Sequence, residues 1–463
     1  MRSIRRRDLL KCAAGGAAAI VVGNSMPWML ENEAIAAPAQ SLDFTITDAI
    51  KDMATNNDIN AAQCYFWIYK EATMPADCPG PMIFVREGDF IRIKITNALD
   101  EPHSLLIPGI FNSGPIAPGA TVSKSFRPNK TGTFLYYDNL NAPVNRVMGL
   151  HGTMVVMPAA AAPGAKFTPY NNPTPAVQNL FNDLGAAAWW PGLAWEAADP
   201  ASNTPPFRQY IWLLHQASPN LFAEVGNFAA GQDYPSAQFV QKFLKDRFNP
   251  AAPDRTNNVP QYFTISGQSG HFSHNNPYIC PNNRVGEPVL IRILNAGLWV
   301  HSMHIHANHV FVVSIDGVPQ ANPLWVDVFT LKPMNRVDWL VPYMRPPDVP
   351  NVAGHGRADT PRTSNNGQPV WPPTEEMNYF IPNNLFAGAI DLSVQLSPLC
   401  YPMHDHSEPS QTSQGGNYNM GLISGLNFCG DRNIGAAPGV GFPNEPVQKG
   451  PGPNGLFPPT VQA

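Results

Sequence analysis

The sequence contains little charge, and this shortage narrows the classes of protein that it can encode. Of its 463 residues, 14% are charged, against about 25% in an average soluble protein. The net charge is −5, and no basic block or basic amphipathic helix occurs in the body of the chain, which argues against nucleic acid as a partner. With 44% hydrophobic residues, the chain can still bury a large core in two or more domains.

Several short catalytic motifs are also missing. The sequence has no Gly-x-Ser-x-Gly elbow, no P-loop, no dinucleotide fingerprint after a strand and no His-Glu-x-x-His helix. These absences argue against a serine hydrolase of the elbow type, a P-loop nucleotidase, a dinucleotide-dependent enzyme and a zinc protease. The chemistry must therefore be sought in other residues.

Long helices are disfavoured, because 50 prolines and 36 glycines interrupt the chain. Two blocks, residues 41–160 and 206–430, contain runs that alternate apolar and polar residues between turn residues, which is typical of strands. The stretch "REGDFIRIKITNAL" in the first block is similar to "RVGEPVLIRILNAG" in the second. The sequence therefore predicts an all-β chain that repeats a β-sandwich domain.

Irregular segments separate and interrupt these blocks. A linker rich in Ala, Pro, Asn and Trp covers residues 161–205, and a second irregular stretch lies around 345–386 inside the second block. A Pro/Gly-rich tail covers residues 431–463. Loops of such length in a compact domain are usually functional or disordered.

The N-terminus resembles a secretion signal. "RRRDLLK" is followed by the apolar run "CAAGGAAAIVV" and then by "AIAA", which predicts a cleavable signal peptide over residues 1–36. Arg6 and Arg7 resemble a twin-arginine signal, which exports proteins that have already folded. The apolar run is too short to span a bilayer. We therefore expect a periplasmic or secreted protein with no stable membrane span; the alternative is a membrane-anchoring N-terminal helix.

Removal of that segment leaves five of the six cysteines, an odd number. A bridge between Cys64 and Cys78 would agree with an oxidising compartment. Cys400 has histidines close behind it and is a candidate metal ligand. The alternative is that Cys400 is an inert buried thiol or pairs with Cys280 or Cys429.

Histidines are concentrated in the stretch "HSMHIHANHVFVV", where His301, His304 and His306 fall within six residues. Because side chains alternate across a strand, His304 and His306 should point to one face and His301 to the other. Imidazoles at fixed spacing on a rigid strand suit copper, zinc, iron or nickel. The alternative is a set of structural histidines.

A second cluster, "CYPMHDHSE", lies near the end of the same block and brings Met403 close to further histidines. Soft sulfur beside imidazole favours copper over the other metals. The sequence therefore predicts a copper site. Its candidate ligands are His301, His304, His306, His404, His406 and Cys400.

These motifs resemble those of the multicopper oxidases, whose last cupredoxin domain carries His-Pro-x-His-x-His and then His-Cys-His-x3-His. "HSMHIHANHVF" matches the first motif closely, and "LCYPMHDHSEPSQTSQGGNYNMGL" matches the second loosely. The resemblance implies two cupredoxin-like Greek-key β-sandwich domains and copper as the cofactor. It also implies that His301 lies on a type 1 copper, which takes electrons from substrate, and that His304 and His306 lie on the trinuclear cluster, which reduces dioxygen.

The first block departs from the family pattern. In "PHSLLIPGI", Leu106 and Pro108 stand where the family has ligands, and in "FLYYDNL", Tyr137 and Asn139 replace two further histidines. Four of the eight trinuclear ligands are therefore missing. We do not expect a standard four-copper laccase.

The second motif can be aligned with the family in two ways, and both stay open. Alignment on Cys400 leaves Leu399 and Tyr401 at histidine positions. Alignment on Tyr401 puts His404 on the family's histidine and Met403 on its cysteine. A blue type 1 site needs a thiolate with two imidazoles. The spacing from Cys400 to His404 and His406 does not match the family, so we expect a weak or absent blue band from Cys400.

The remaining histidines are expected to serve structure. His103 and His151 belong to the altered motifs of the first block. His271 and His274 are expected in a solvated loop beside the site, and His309 should face the core or solvent.

Two functions follow from these observations. The first is an exported copper-binding oxidoreductase with a remodelled copper site, acting on a small-molecule or metal-ion reductant and on dioxygen. The alternative is a non-enzymatic copper carrier or a copper-free periplasmic scaffold. The complete His-x-x-His-x-His motif favours the first, and the loss of first-block ligands favours the second. A homo-oligomer that completes a site between subunits is left open.

Overall fold

The computed structural model describes residues 40–55, 62–158, 168–185, 208–246, 251, 258–276, 278–285, 288–343, 362–363, 369–370, 399–413 and 420–431. The predicted signal peptide and the tail beyond residue 431 lie outside the described residues, as do most of the linker and most of the second irregular stretch. In the described part of the chain, no helix is long and apolar enough to cross a membrane.

Nine strands form the first sandwich. They are β1 (Gln40–Met53), β2 (Ala62–Glu71), β3 (Ile83–Arg86), β4 (Ile91–Asn97), β5 (Leu106–Ile107), β6 (Phe111–Asn112), β7 (Thr121–Phe126), β8 (Gly132–Tyr137) and β9 (His151–Met157). One sheet has the order β2-β1-β4-β7 and the other β3-β9-β8-β5-β6. In both sheets, parallel pairs are mixed with antiparallel ones: β1 with β4, and β3 with β9.

The later strands form the second sandwich and one small hairpin. They are β10 (Arg208–Ala217), β11 (Tyr262–Ile265), β12 (Asn282–Val285), β13 (Val289–Asn295), β14 (His301–Ile305), β15 (Val310–Ile315), β16 (Val318–Val326), β17 (Val328–Leu331), β18 (Arg336–Val341), β19 (Arg362–Thr363), β20 (Pro369–Val370), β21 (Leu399–Asp405) and β22 (Ile423–Asp431). The sheets have the orders β11-β10-β13-β18-β15-β16 and β12-β22-β21-β14-β17, and β19 pairs only with β20.

Helices among the described residues are short. They are α1 (Val144–Val147), α2 (Pro175–Gly185), α3 (Pro219–Gly226), α4 (Ser236–Val240), which continues into a π-helical turn (Gln241–Lys245), α5 (Gly270–Asn275) and α6 (Glu408–Gln411). Helix α2 lies within the segment that the sequence predicts as an irregular linker. Its Val177, Leu180 and Phe181 are buried in the same core as Phe311 of β15.

The two sandwiches are structural repeats. The order β2-β1-β4-β7 recurs as β11-β10-β13-β18, and β3-β9-β8-β5-β6 recurs as β12-β22-β21-β14-β17. The similar stretches in the sequence form β4 and β13, which occupy equivalent positions. In β4 the burial alternates, whereas every residue of β13 is buried, as expected for a strand covered on both faces. The prediction of two cupredoxin-like sandwiches is confirmed.

A buried polar network joins the sandwiches. The Arg292 guanidinium, fully buried on β13, donates to the Oε1 of Gln209 at 2.5 Å and to the Oγ1 of Thr133 in the first sandwich at 2.8 Å. Asp338 lies 3.5 Å from the Nη1 of Arg292 and accepts hydrogen bonds from Thr133 and Tyr170. A buried charge is tolerated only when it is paired and hydrogen-bonded, so these contacts fix the sandwiches against each other.

Cys64, Cys78, Cys280 and Cys400 are free cysteines. The predicted bridge between Cys64 and Cys78 is therefore wrong. The Sγ of Cys78 faces the carbonyl oxygen of Gly149 at 4.0 Å, whereas the Sγ of Cys64 lies 3.9 Å from the carbonyl oxygen of Tyr65.

Candidate metal centre

Strands β14 and β21 bring the two histidine motifs together. They pair antiparallel, with His304 opposite His404 and Met303 opposite Asp405. Directly opposite residues have Cβ atoms about 5 Å apart, so the two imidazoles meet. The pairing continues beyond the strand ends, because the main-chain N–H of His306 donates to Pro402 and that of His406 donates to Ser302.

Four imidazoles converge at this point and form what we call the histidine cluster: His304, His306, His404 and His406. Three of them, His304, His404 and His406, each offer one ring nitrogen within 4.8 Å of the others. The fourth, His306, has its Nε2 atom 2.8 Å from the Nε2 atom of His404. The cluster therefore unites the two motifs that are far apart in the sequence.

Two members of the histidine cluster have their ring orientation fixed by main-chain carbonyls. The Nδ1–H of His304 donates to the carbonyl of Asp327 at 2.9 Å, and the Nδ1–H of His404 donates to the carbonyl of Asp405 at 3.1 Å. A proton held on Nδ1 leaves the lone pair on Nε2, which is the arrangement typical of histidine ligands to metals.

Electrostatics also favours the neutral form of two rings in the histidine cluster, His304 and His306. Burial lowers the pKa of His304 and of His306, and the neighbouring imidazoles lower both pKa values further. A neutral imidazole is the form that binds a metal. The imidazoles of His304 and His306 are therefore held in the form that binds a cation.

Strand alternation separates His301 from the cluster. It lies on the buried face of β14, whereas His304 lies on the opposite face. Its Nδ1–H donates to the Oδ2 of Asp405 at 2.6 Å, and its Nε2 accepts from the Gln216 amide at 2.5 Å. Both ring nitrogens are engaged, so the structure does not bring His301 to the histidine cluster as a further ligand.

Cys400 also lies apart from the cluster. His404 is the fourth residue after it along β21, about 13 Å away at the usual rise per residue. Its Sγ atom lies 3.4 Å from the Nε2 of His274. Hydrogen bonding by Cys280 lowers the pKa of Cys400 to about 5, against the opposing effect of burial, and His274 adds to the lowering. The lowered pKa favours the thiolate form of Cys400. The thiol lies with His274 and Cys280, and not with His404 and His406 as the sequence predicts.

A cavity of about 300 Å³ adjoins the histidine cluster. Helix α5 contributes His271 and His274 to its wall, so these two histidines do not lie in an open loop as the sequence predicts. His309 is not part of this wall and stacks on Trp325, with ring centroids 5.4 Å apart. The residues that line the cavity are His271, His274, Asn275, His306, Pro402, Met403, His404, Gln411, Ile423 and Ser424.

A second set of donors escapes sequence reasoning. Cys78, His151 and His215 are all buried, and each offers one donor atom within 4.8 Å of the others. We call this set the thiol–imidazole group. Its members come from three separate segments and follow no ligand spacing, so no motif could have revealed it.

The first sandwich has no imidazoles at the positions equivalent to the histidine cluster. Leu106 of β5 pairs with Tyr137 of β8, at the place where His304 of β14 pairs with His404 of β21. The departures noted in the sequence therefore fall at the structural equivalents of the cluster.

Comparison with known families agrees with this architecture. Residues 69–161 and residues 245–350 each match a family model described as multicopper oxidase. One match lies in each sandwich. Each sandwich therefore contains a domain that is similar to those of the multicopper oxidases.

Solved structures with a similar fold include a blue copper oxidase from Nitrosomonas europaea, with 16% identity and a TM-score of 0.49 over 87% of this chain and 89% of that chain. The multicopper oxidase mgLAC has 17% identity and a TM-score of 0.49 over 91% of this chain and 93% of that one. A copper nitrite reductase from Nitrosomonas europaea has 13% identity and a TM-score of 0.46 over 90% and 99%. No curated protein sequence matches the chain significantly.

Copper is the cofactor of this family, and the histidine cluster fits it. Imidazole nitrogen is a preferred ligand for copper. The Nε2 atoms of His306 and His404 lie 2.8 Å apart, close enough to hydrogen-bond to each other. The residues that would hold the ion are His304, His306, His404 and His406.

Proposed function

We propose that this chain is an exported copper-binding oxidoreductase whose redox site is confined to the second sandwich. The observation that carries the proposal is the convergence of His304, His404 and His406 within 4.8 Å, with His306 joined to them through His404. A bound copper ion supplies one-electron redox chemistry at such a site.

The chain's own residues prepare this site for a reductant. The carbonyls of Asp327 and Asp405 hold two imidazoles in a fixed orientation. The adjoining cavity of about 300 Å³ lies at the lower end of the size range of small-molecule sites. These features support a small-molecule or metal-ion reductant as the electron donor, and the family supports dioxygen as the acceptor.

The experiment that tests the proposal is a copper determination on the full-length protein. After loading with copper and dialysis, we expect the histidine cluster to retain about one equivalent, because imidazole ligands bind copper tightly. Substitution of both His304 and His404 by Ala should remove it. Equal copper content in the wild type and in this variant would overturn the proposal.

A copper carrier is the second candidate, and one observation favours it. His406 is exposed, so a bound ion could pass to a partner protein. Oxygen uptake with a small reductant separates the two functions. Turnover that disappears in His304→Ala supports the oxidoreductase, whereas bound copper without turnover supports the carrier.

Export rests on the N-terminal residues, which lie outside the described part of the chain. We propose that the twin-arginine-like segment directs the folded protein to the periplasm or the exterior. Substitution of Arg6 and Arg7 by Lys should retain the uncleaved protein in the cytoplasm. Normal secretion of that variant would contradict this route.

A further inference from the structure

The thiol–imidazole group lies where the two sandwiches meet. Cys78 precedes β3, His151 begins β9 in the first sandwich, and His215 lies on β10 in the second. Their relative exposures are 4%, 0% and 3%. The ring centroids of His151 and His215 are 4.4 Å apart. Neither the histidine cluster nor its cavity includes any of these residues.

Both imidazoles of this group are oriented by main-chain carbonyls of one short segment. The Nδ1–H of His151 donates to the carbonyl of Arg146 at 2.8 Å, and the Nε2–H of His215 donates to the carbonyl of Val147 at 2.8 Å. Each ring therefore keeps one nitrogen with a lone pair. This is the orientation that supporting carbonyls impose on metal-binding histidines.

One of these lone pairs has no partner in the described structure. The Nε2 atom of His151 is buried and makes no hydrogen bond, which is unfavourable for a buried polar group. The Cys78 thiol and His215 lie beside it. A cation at this point would satisfy the orphaned nitrogen.

The backbone leaves room for the Cys78 thiol at Gly149. A Cβ atom at Gly149 would lie 2.5 Å from the carbonyl oxygen of Trp67 and 3.2 Å from the Sγ of Cys78. The φ angle of Gly149 is +120°, a conformation that favours glycine. The close approach of the Gly149 backbone thus helps to hold the thiol in position.

We propose that Cys78, His151 and His215 form a second, buried metal site, which binds one copper ion. One thiolate with two imidazoles is the ligand set of trigonal copper sites, whereas structural zinc takes four protein ligands. Binding breaks the S–H bond of Cys78, forms a metal–sulfur bond and releases the proton to solvent. This inference stands on the geometry of the group and does not depend on the histidine cluster.

The test uses the full-length protein with the histidine cluster removed by His304→Ala, His404→Ala and His406→Ala together. After copper loading and dialysis, this variant should retain about one equivalent of copper, because the thiol–imidazole group remains. Adding Cys78→Ser should reduce retention at least tenfold. Adding Cys64→Ser instead is the matched control: Cys64 is also a free, buried cysteine of the first sandwich, and its loss should leave the copper in place.

Two spectroscopic readouts identify the ligands. Copper(II) bound by a thiolate and two imidazoles gives an intense blue band, which should vanish in Cys78→Ser and persist in Cys64→Ser and in Cys400→Ser. X-ray absorption on the variant that lacks only the histidine cluster should find sulfur bound to copper, and this measurement remains valid if Cys78→Ser fails to fold.

Three results would overturn the inference: no retained copper without the histidine cluster, a copper shell of nitrogen and oxygen alone, or equal loss of copper in Cys64→Ser. Retention of zinc in preference to copper would overturn the choice of metal. A blue copper site that survives loss of the histidine cluster would uphold this inference even if the proposed oxidoreductase function failed.

Discussion

Each sandwich contains a buried hydrogen-bonded pair of a histidine and an aspartate, and the two pairs occupy equivalent positions. In the first sandwich the Nδ1 of His103 lies 2.7 Å from the Oδ2 of Asp138, and in the second the Nδ1 of His301 lies 2.6 Å from the Oδ2 of Asp405. All four side chains are buried. The difference lies on the opposite face of the same strand, where "HSLLIP" in the first sandwich corresponds to "HSMHIH" in the second.

Each of the two aspartates accepts hydrogen bonds from its histidine and from neighbouring residues. Asp138 accepts hydrogen bonds from His103, Ser104, Leu140 and Asn145. Asp405 accepts hydrogen bonds from His301, Ser302, Ser407 and Ser410. The comparison teaches that the buried histidine–aspartate pair is structural and independent of ligand content, because it occurs both beside the histidine cluster and beside Leu106 and Tyr137.

The largest effect on copper content should come from substitutions at the equivalent positions of the two sandwiches. His304→Ala and His404→Ala should each lower the copper held by the histidine cluster at least tenfold, since each removes a ligand that water replaces poorly. Leu106→Ala and Tyr137→Phe should leave copper content unchanged. Copper determination in the Cys78→Ser background, which removes the proposed second site, measures the cluster alone. Equal copper loss from both sets would mean that copper binding is not confined to the histidine cluster of the second sandwich.

Asp405→Asn and Asp138→Asn are expected to have a smaller effect, which is a loss of unfolding free energy. Each substitution leaves a buried histidine without its charged partner, which should cost about 3 kcal/mol of unfolding free energy. Urea denaturation of the metal-free protein measures this loss. Only Asp405→Asn should also weaken copper binding, because Asp405 ties β14 to the segment after β21. If both variants lost copper equally, the effect of each histidine–aspartate pair would not be confined to its own sandwich.

The thiols of the two sandwiches should differ in reactivity by about a hundredfold or more. Burial raises the pKa of Cys78 to about 12, whereas the pKa of Cys400 is lowered to about 5. At neutral pH Cys400 is thus a thiolate, the nucleophilic form. Pulsed alkylation of the metal-free protein with mass spectrometry should label Cys400 first. Cys280→Ala should slow that labelling, because Cys280 contributes most to the lowered pKa; faster labelling of Cys78 would contradict this contrast.

The smallest effect is a pH dependence that arises in the first sandwich. Burial lowers the pKa of His103, but hydrogen bonds to Asp138 and Glu101 outweigh it, and the pKa is raised above 6.5. The folded protein thus keeps a proton that the unfolded chain releases, so this stabilisation is complete below about pH 6.5 and is lost as the pH rises through the folded pKa. His103→Gln should flatten the fall in unfolding free energy of the metal-free protein above neutral pH. His309→Gln is the control, and an unchanged slope in His103→Gln would exclude this source.

The sequence was informative where neighbouring residues share one strand. Alternation predicts that His301 and His304 lie on opposite faces of β14, and the repeated stretch predicts equivalent strands in the two sandwiches. Proximity along the chain misled where it implied proximity in space. A strand extends by about 3.3 Å per residue, so Cys400 lies far from His404 although only three residues separate them.

Contacts between distant segments were beyond sequence reasoning. Asp405 pairs with His301 because β21 lies beside β14, and nothing in "CYPMHDHSE" marks its aspartate as more than a surface residue. The thiol–imidazole group depends on β10 packing against the first sandwich, which no spacing encodes. Helix α2 was missed because its apolar residues lie in a segment whose composition resembles a linker.

The buried Arg292 network makes the second sandwich depend on the first. The guanidinium of Arg292 in the second sandwich depends on Thr133, a residue of the first. A shortened gene that encoded only the histidine-bearing half would leave this cation facing solvent or an unfilled contact. The half without the histidine cluster therefore satisfies a buried cation of the other half, whatever residues it carries at Leu106, Pro108 and Tyr137.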